Sequence, residues 1–243
     1  MRTAKIVGWT AVALLALLVV LVVILLSLDL STYRDPLQSG ISAAAGRPVR
    51  LHGDMSMRLS LHPTIVVEDA TVANPSWASR PNFARVGRVE VQLALLPLVR
   101  GDVQILSLNL KGLDVLLEGE PDGRNNWTFG KDTKDAGVPP LPLVESLACE
   151  QCVLAYRVDA TREERIEIAA AAGVLAPEEP LQLLASGTYQ DIPFKLTLLG
   201  GAPLDFLTAK APWPIEVKLR AAGATLSAAG DLIRKKDASL EVT

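Results

Sequence analysis

Residues 49–61 read VRLHGDMSMRLSL, in which apolar and polar side chains alternate almost without interruption. Successive side chains of an extended strand point to opposite faces of a sheet, so a period of two predicts a half-buried strand. One face would carry Leu51, Gly53, Met55, Met57, Leu59 and Leu61, and the other His52, Asp54, Ser56, Arg58, Ser60 and His62. The stretch predicts one long β-strand with an apolar and a polar face.

The same alternation returns several times further along the chain. It is present in Val89, Val91, Leu93 and Leu95, in Leu106, Leu108 and Leu110, in Phe194, Leu196 and Leu198, and in Ile215, Val217 and Leu219. Turn signals such as Asn74-Pro75 and Gly200-Gly201 separate the runs. No long helix is evident after Gly46, although the Ala-rich range 163–176 is ambiguous. We predict a mainly β body of long antiparallel strands.

An uncharged apolar run extends from Ile6 to Leu28. It would form about 35 Å of helix at about 1.5 Å per residue, which is enough to cross a bilayer. A cleaved signal peptide is the alternative, but its apolar stretch is shorter and no good cleavage site is visible near Leu28. We therefore expect a retained single-pass helix. Arg2 and Lys5 precede the run, which predicts a cytoplasmic N-terminus with the rest of the chain on the far side.

A second helical pattern follows the membrane segment. Its apolar residues are Leu30, Tyr33, Leu37, Ile41 and Ala44, at spacings of three and four. This amphipathic helix either continues the membrane helix, lies along the headgroups, or plugs one end of the next domain. The predicted organisation is 1–28, cytoplasmic N-terminus and transmembrane helix; 29–47, juxtamembrane amphipathic helix; and 48–243, a β-rich domain.

Composition excludes several classes of function. The net charge is −3 and no basic block is present, which argues against nucleic acid as a partner. The two cysteines and two histidines offer little material for a metal site. No Walker loop, nucleophile elbow, GxGxxG or HExxH motif occurs, so we expect neither catalysis nor a cofactor.

The two cysteines, Cys149 and Cys152, have C-x-x-C spacing. A local disulfide, two unpaired buried thiols, and redox or metal chemistry are all compatible with that spacing. The apolar strand faces leave a second choice open. Only 5% of the residues are aromatic, and aliphatic side chains either fill a closed core or line an open surface.

Several segments, taken in order, resemble the N-terminal part of the AsmA family of bacterial envelope proteins. They are LDLSTYRDPL (28–37), GRPV (46–49), LSLHP (59–63), VANPSWA (72–78), LALLPLVRG (93–101) and DGRNNW (122–127), with a weaker match at APWPI (211–215). The resemblance is strongest over about residues 1–130. Family members are typically longer, so we expect either a fragment or a short member whose last edge strand needs a partner.

The resemblance implies an inner-membrane protein with one N-terminal helix and a periplasmic body of repeated strands. That body would be a curled, groove-like sheet, similar to the repeating-β-groove proteins that carry phospholipids between membranes. The implied groove lining is Leu51, Met55, Met57, Leu59, Val89, Val91, Leu93, Leu95, Leu106, Leu108 and Leu110. The expected partners are membrane phospholipids and an envelope protein. The expected role is phospholipid transport or homeostasis and outer-membrane biogenesis, and the alternative is an assembly factor for outer-membrane proteins that acts by protein contact.

Overall fold

The computed structural model describes residues 34–58, 60–100, 103–120, 122–129, 144–157, 162–208, 212–234 and 240–242. The predicted transmembrane helix over residues 1–28 and the predicted lining residue Leu59 lie outside these ranges. Within them, no helix combines the length and the hydropathy that crossing a membrane requires.

The described chain contains short helices and long strands. In chain order they are α1 (Arg34–Ala45), β1 (Val49–Leu51), β2 (Met55–Arg58), β3 (Thr64–Ala73), β4 (Asn82–Leu93), α2 (Leu95–Val99), β5 (Ile105–Glu118), β6 (Val144–Arg157), β7 (Glu163–Val174), β8 (Gln182–Tyr189), β9 (Ile192–Gly200), α3 (Pro203–Thr208), β10 (Trp213–Ala221), β11 (Ala224–Arg234) and β12 (Leu240–Val242). The prediction of a mainly β body is confirmed.

All of these strands belong to one open, curled sheet. Strands β1 and β2 both pair with β3, and the order then follows the sequence from β3 to β12. Neighbours pair in antiparallel fashion as predicted, with one exception among the described strands: β5 and β6 are parallel. Parallel neighbours need a crossover connection, and residues 119–143 supply its length. The predicted mainly antiparallel sheet therefore has one parallel junction among the described strands.

Two predicted strands are shorter than their alternation suggested. The strand expected over 49–62 is interrupted after β1, at residues 52–54. The backbone there lies so close to β3 that a Cβ at Gly53 would be 2.5 Å from the carbonyl oxygen of Glu68. Strand β4 ends at Leu93, and Leu95 begins α2 instead of continuing the strand. Pro97 has no N–H for a strand ladder but fits the first turn of a helix. The ambiguous Ala-rich range contains the strand β7.

Helix α1 covers the first edge of the sheet. The Ser42 hydroxyl accepts a hydrogen bond from Val49 N at 2.9 Å, and Gln38 Oε1 accepts one from Leu51 N at 3.1 Å. Arg34 Nη2 donates to the Gly53 carbonyl oxygen at 2.7 Å. These side chains satisfy backbone groups that an uncovered edge strand would present to other chains. The helix therefore contacts the edge backbone through a row of polar side chains, Arg34, Gln38 and Ser42.

The two ends of the sheet differ. One end, which we call the loop end, carries the loops 74–81 and 119–129. Asn126 is fully buried there; its Nδ2 donates to the Leu116 carbonyl at 2.8 Å and to Asn74 Oδ1 at 3.1 Å, and its Oδ1 accepts from Glu118 N. The buried Glu118 carboxylate accepts bonds from the Ser79 N–H and hydroxyl. The opposite end, the helical end, carries α2 and α3.

Gly187 in β8 gives a direct test of the strand packing. A Cβ at this position would lie 1.9 Å from the Glu167 carbonyl oxygen of β7. We expect Gly187→Ala to lower the free energy of unfolding by about 2–3 kcal/mol, because the neighbouring backbone has to move. Gly40 of α1 has no atom within 4 Å of a Cβ, so Gly40→Ala should stabilise the protein by up to about 1 kcal/mol. Urea unfolding followed by circular dichroism measures both, and equal midpoints for the two variants would contradict the packing.

Candidate functional site

One face of the sheet carries uninterrupted rows of apolar residues. Directly paired residues of neighbouring strands share a face, so the registers define the rows. The first row is Met55, Val67, Val89, Leu110, Cys149, Ala171, Ala185, Leu196, Leu219 and Leu226. The second row is Met57, Ile65, Val91, Leu108, Leu147, Gly173, Leu183, Leu198, Val217 and Ala228. Neither row contains a charged side chain, and we call this side of the sheet the apolar face.

A line of unusual backbone crosses the sheet beside these rows. Asp69, Gly112 and Gln151 have φ of +48°, +65° and +54°, values in the left-handed region. The registers on both sides place Asp69 opposite Gly87, Gly87 opposite Gly112, Gly112 beside Gln151, and Gln151 opposite Ala169. We call this line the crease. Left-handed residues and bulges bend a strand locally, so the crease contributes to the curl of the sheet.

The apolar face continues beyond the crease. Val67 and Ala70 are three residues apart on β3, yet both belong to the same apolar cluster with Val49 and Leu51. Two more rows follow from the registers: Leu51, Ala70, Val86, Leu113, Cys152, Ile168, Gly187, Phe194, Ala221 and Ala224; and Val49, Val72, Ala84, Val115, Leu154, Ile166, Tyr189 and Ile192. The face thus has two walls, one on each side of the crease.

This face is open in the described part of the chain. Of the two rows on the helical side of the crease, only Cys149 is buried; the other side chains are half-buried or exposed, and Leu226 is 67% exposed. Most contacts between the described elements run between neighbouring strands, and α1 also contacts β1. A sandwich core would bury such residues under a second sheet. The described residues form no such second layer.

The predicted lining residues occupy different places. Met55, Met57, Val89, Val91, Leu108 and Leu110 lie in the two rows on the helical side of the crease, and Leu51 lies beyond it. Leu93 and Leu106 flank an irregularity of register at the helical end. Leu95 is outside the sheet, in α2. The sequence missed the contributions of β3, β6, β7 and β8. Ile65-Val66-Val67 of β3 is apolar without alternation, and the Ala and Gly positions of β7 and β8 carry little apolar signal, so the register is what reveals them.

Cys149 and Cys152 are joined by a disulfide that bridges the crease. Their Cα atoms are 6.2 Å apart, and the left-handed Gln151 lies between them in sequence. Both cysteines are buried on the apolar face, where Cys149 pairs with Leu110. The disulfide therefore connects the two walls of the apolar face within strand β6.

The opposite face of the sheet is polar. Arg88 Nη2 donates to Glu90 Oε1 at 2.7 Å, and Arg88 also pairs with Glu68. The hydrogen bond from Arg88 holds the pKa of Glu90 below its usual value. A shallow hollow on this side is lined by Lys195, Thr197, Leu199, Glu216, Lys218 and Arg220. These groups favour contact with water, so the two faces of the sheet have opposite solvent preferences. No group of three or more potential metal ligands exists among the residues described.

The described residues thus form an open β-sheet with one continuous uncharged face. The sequence model of the AsmA family matches residues 1–149, which is more than half of the chain. The chain belongs to the AsmA family, and the resemblance noted from the sequence is confirmed. No curated protein and no solved structure matches the chain. The matched region ends within β6, whereas the apolar rows continue to β11.

The disulfide can be tested by its removal. A cross-link between two residues three positions apart lowers the entropy of the unfolded chain. In the loop-entropy model this raises the free energy of unfolding by about 2 kcal/mol. We expect Cys149→Ser/Cys152→Ser to lower the free energy of unfolding by about that amount while the circular dichroism spectrum keeps its β signature. Dithiothreitol should lower the urea midpoint of the wild type and leave that of the double variant unchanged. An equal response of both proteins to the reductant would show that the bond does not form.

Proposed function

We propose that this protein is a bacterial inner-membrane protein with a cytoplasmic N-terminus, a single membrane-spanning helix and a periplasmic sheet. Its apolar face holds phospholipid acyl chains and contributes to phospholipid transport or homeostasis and to outer-membrane biogenesis. One observation carries the proposal: uncharged rows cross the sheet from β2 to β11 and remain half-exposed in the described chain. Membership of a bacterial envelope family supports the location.

The size and chemistry of the face suit acyl chains. Ten adjacent strands at about 4.8 Å give a surface about 43 Å across, longer than a single acyl chain. Each methylene kept out of water contributes about 0.8 kcal/mol, so a two-chain lipid would favour such a surface over water. The rows offer aliphatic side chains and no charged group to fix a lipid at one position. Lipids would therefore bind without a preferred site, and a direction of movement has to be imposed from outside.

Helix α1 extends the apolar face at its first edge. Leu37, Ile41 and Ala45 form one row along the helix at spacings of four. Ala45 packs against the cluster of Val49, Leu51 and Ala70 on the apolar face, whereas Leu37 and Ile41 are exposed. In the proposed function this row acts as a side wall that guides acyl chains onto the sheet close to the membrane.

The alternative is an assembly factor for outer-membrane proteins, and the last long strand favours it. Residues 224–230 of β11 contain no charge and no proline, and in the part of the chain that the structure describes β12 pairs with Leu232–Arg234 and leaves 224–230 without a strand neighbour on that side. Edge strands are usually protected by charges, proline or cover, so this edge is suited to accept another strand. A protein that pairs there would be recognised through its backbone.

In-cell photocrosslinking distinguishes the two functions. A photoreactive residue at Val91 lies on the apolar face, and one at the adjacent Gln92 lies on the polar face of the same strand. We expect phospholipid adducts at Val91 and none at Gln92, because only the apolar face is available to acyl chains. Mass spectrometry of the adducts provides the measurement. Absence of lipid adducts at Val91 would contradict lipid binding, and protein adducts there in their place would favour an assembly factor that binds through the apolar face.

A charge on the apolar face should remove lipid without unfolding the sheet. Leu198 lies in the second row, and Thr197 is its neighbour on the polar face of β9. We expect Leu198→Asp to abolish co-purified phospholipid and to change the free energy of unfolding by about 1 kcal/mol, since an open face leaves the carboxylate in water. Thr197→Asp should leave both quantities unchanged. Thin-layer chromatography and urea unfolding measure them, and loss of folding by Leu198→Asp would indicate a closed core.

A further inference from the structure

The helical end of the sheet carries exposed apolar side chains. Leu61 is 81% exposed, Leu96 76%, Val103 55% and Leu95 40%. They lie on neighbouring connections, since Leu93 N donates to the Pro63 carbonyl at 2.9 Å and Ala94 N donates to the Gln104 carbonyl at 3.0 Å. We call these four residues the leucine rim. Adjacent apolar side chains this exposed typically mark a surface that contacts a membrane or a partner.

The direction of α1 relates the leucine rim to the membrane. Along the helix, Ser42 contacts Val49, Gln38 contacts Leu51 and Arg34 contacts Gly53. Its N-terminus therefore points along β2 toward the helical end. The uncharged run of the sequence ends at Leu28, and residues 29–33 can span about 20 Å at most. The described chain thus begins within about 20 Å of the end of the predicted membrane segment, with the start of α1 directed toward the end of the sheet that carries the leucine rim.

The charges beside the leucine rim suit a phospholipid surface. Arg100 is exposed and directly follows α2. Arg58 is exposed at the end of β2, where it pairs with Glu90 at 3.1 Å. An exposed cation such as Arg100 next to exposed leucines matches the anionic headgroups and the apolar interior of a bilayer. The apolar rows of β2 to β5 end at this rim, so a bilayer in contact with it would meet the apolar face directly.

We propose that the leucine rim inserts into the periplasmic leaflet of the membrane that anchors the chain. This proposal rests on the proposed function, because it takes residues 1–28 as the membrane anchor. Insertion brings the helical end of the apolar face to the acyl-chain region of the bilayer. A lipid could then pass from the leaflet to the sheet without exposing its chains to water.

Fluorescence quenching tests the insertion. The full chain carries an environment-sensitive nitrobenzoxadiazole probe on Leu96→Cys or on Leu61→Cys, in nanodiscs of phosphatidylethanolamine and phosphatidylglycerol. The matched control is Leu184→Cys, a 56% exposed leucine on the polar face of β8. We expect a blue shift and a several-fold rise in emission at Leu96 and Leu61, with quenching by brominated acyl chains, and neither effect at Leu184.

Aqueous emission at Leu96 and Leu61, with no quenching by brominated lipid, would overturn the insertion, whatever protein the rim binds in cells. Equal quenching at Leu184 would also overturn it, since the effect would not be specific to the rim. Photocrosslinking at Val91 separates this result from the proposed function. Lipid adducts at Val91 with an aqueous rim would reject the insertion alone, and an inserted rim without lipid at Val91 would reject the lipid-binding face alone.

Discussion

The structure depends on keeping apolar side chains on one face of strands that are bent. A regular strand changes face at every residue, so Val67 and Ala70 would point to opposite sides if β3 were regular. The left-handed backbone of Asp69, which lies between them, places both side chains on the same face. Gly112 on β5 and Gln151 on β6 have the same left-handed conformation. Because these positions are aligned across the sheet, the side chains of neighbouring strands change their alternation at the same place, and the hydrogen bonds between the strands are kept. The crease thus permits a bent sheet with a continuous apolar surface.

Alternation in the sequence predicted β4, β5, β9 and β10 and their faces, because the period of two is a local property of each segment. It did not predict the break between β1 and β2, since that break depends on the approach of Gly53 to Glu68 of another strand. The parallel junction of β5 and β6 likewise depends on where a distant segment pairs. The apolar stripe of α1 was predicted, but the hydrogen bonds between its polar row, Ser42 and Gln38, and the edge strand were not. Edge backbone groups need hydrogen bonds, and apolar side chains cannot supply them.

Three of the segments that carry the family resemblance, 46–49, 72–78 and 122–127, lie at the loop end. Arg47 donates to the carbonyl oxygens of Asn126 and Thr128 and stacks on the ring of Phe129, with its guanidinium carbon 4.4 Å from the ring centroid. Asn74 and Asn126 meet in the buried polar cluster beside them. Such polar contacts require particular residues, whereas the apolar face accepts any aliphatic side chain of suitable size. The residues of the apolar face are therefore harder to recognise from the sequence than the polar residues that stabilise the loop end.

The parallel pairing of β5 with β6 also has a consequence for how the chain folds. Strands β3 to β5 and strands β6 to β11 each follow one another with short or moderate connections, so their contacts are local in sequence. The β5–β6 ladder instead joins residues about forty positions apart, as in the pairing of Leu108 with Leu147. Local contacts form fast, whereas a distant pairing has first to overcome the entropy of closing its loop. Two separately formed meanders would meet at this ladder, and we expect its closure to limit the rate at which the complete sheet appears.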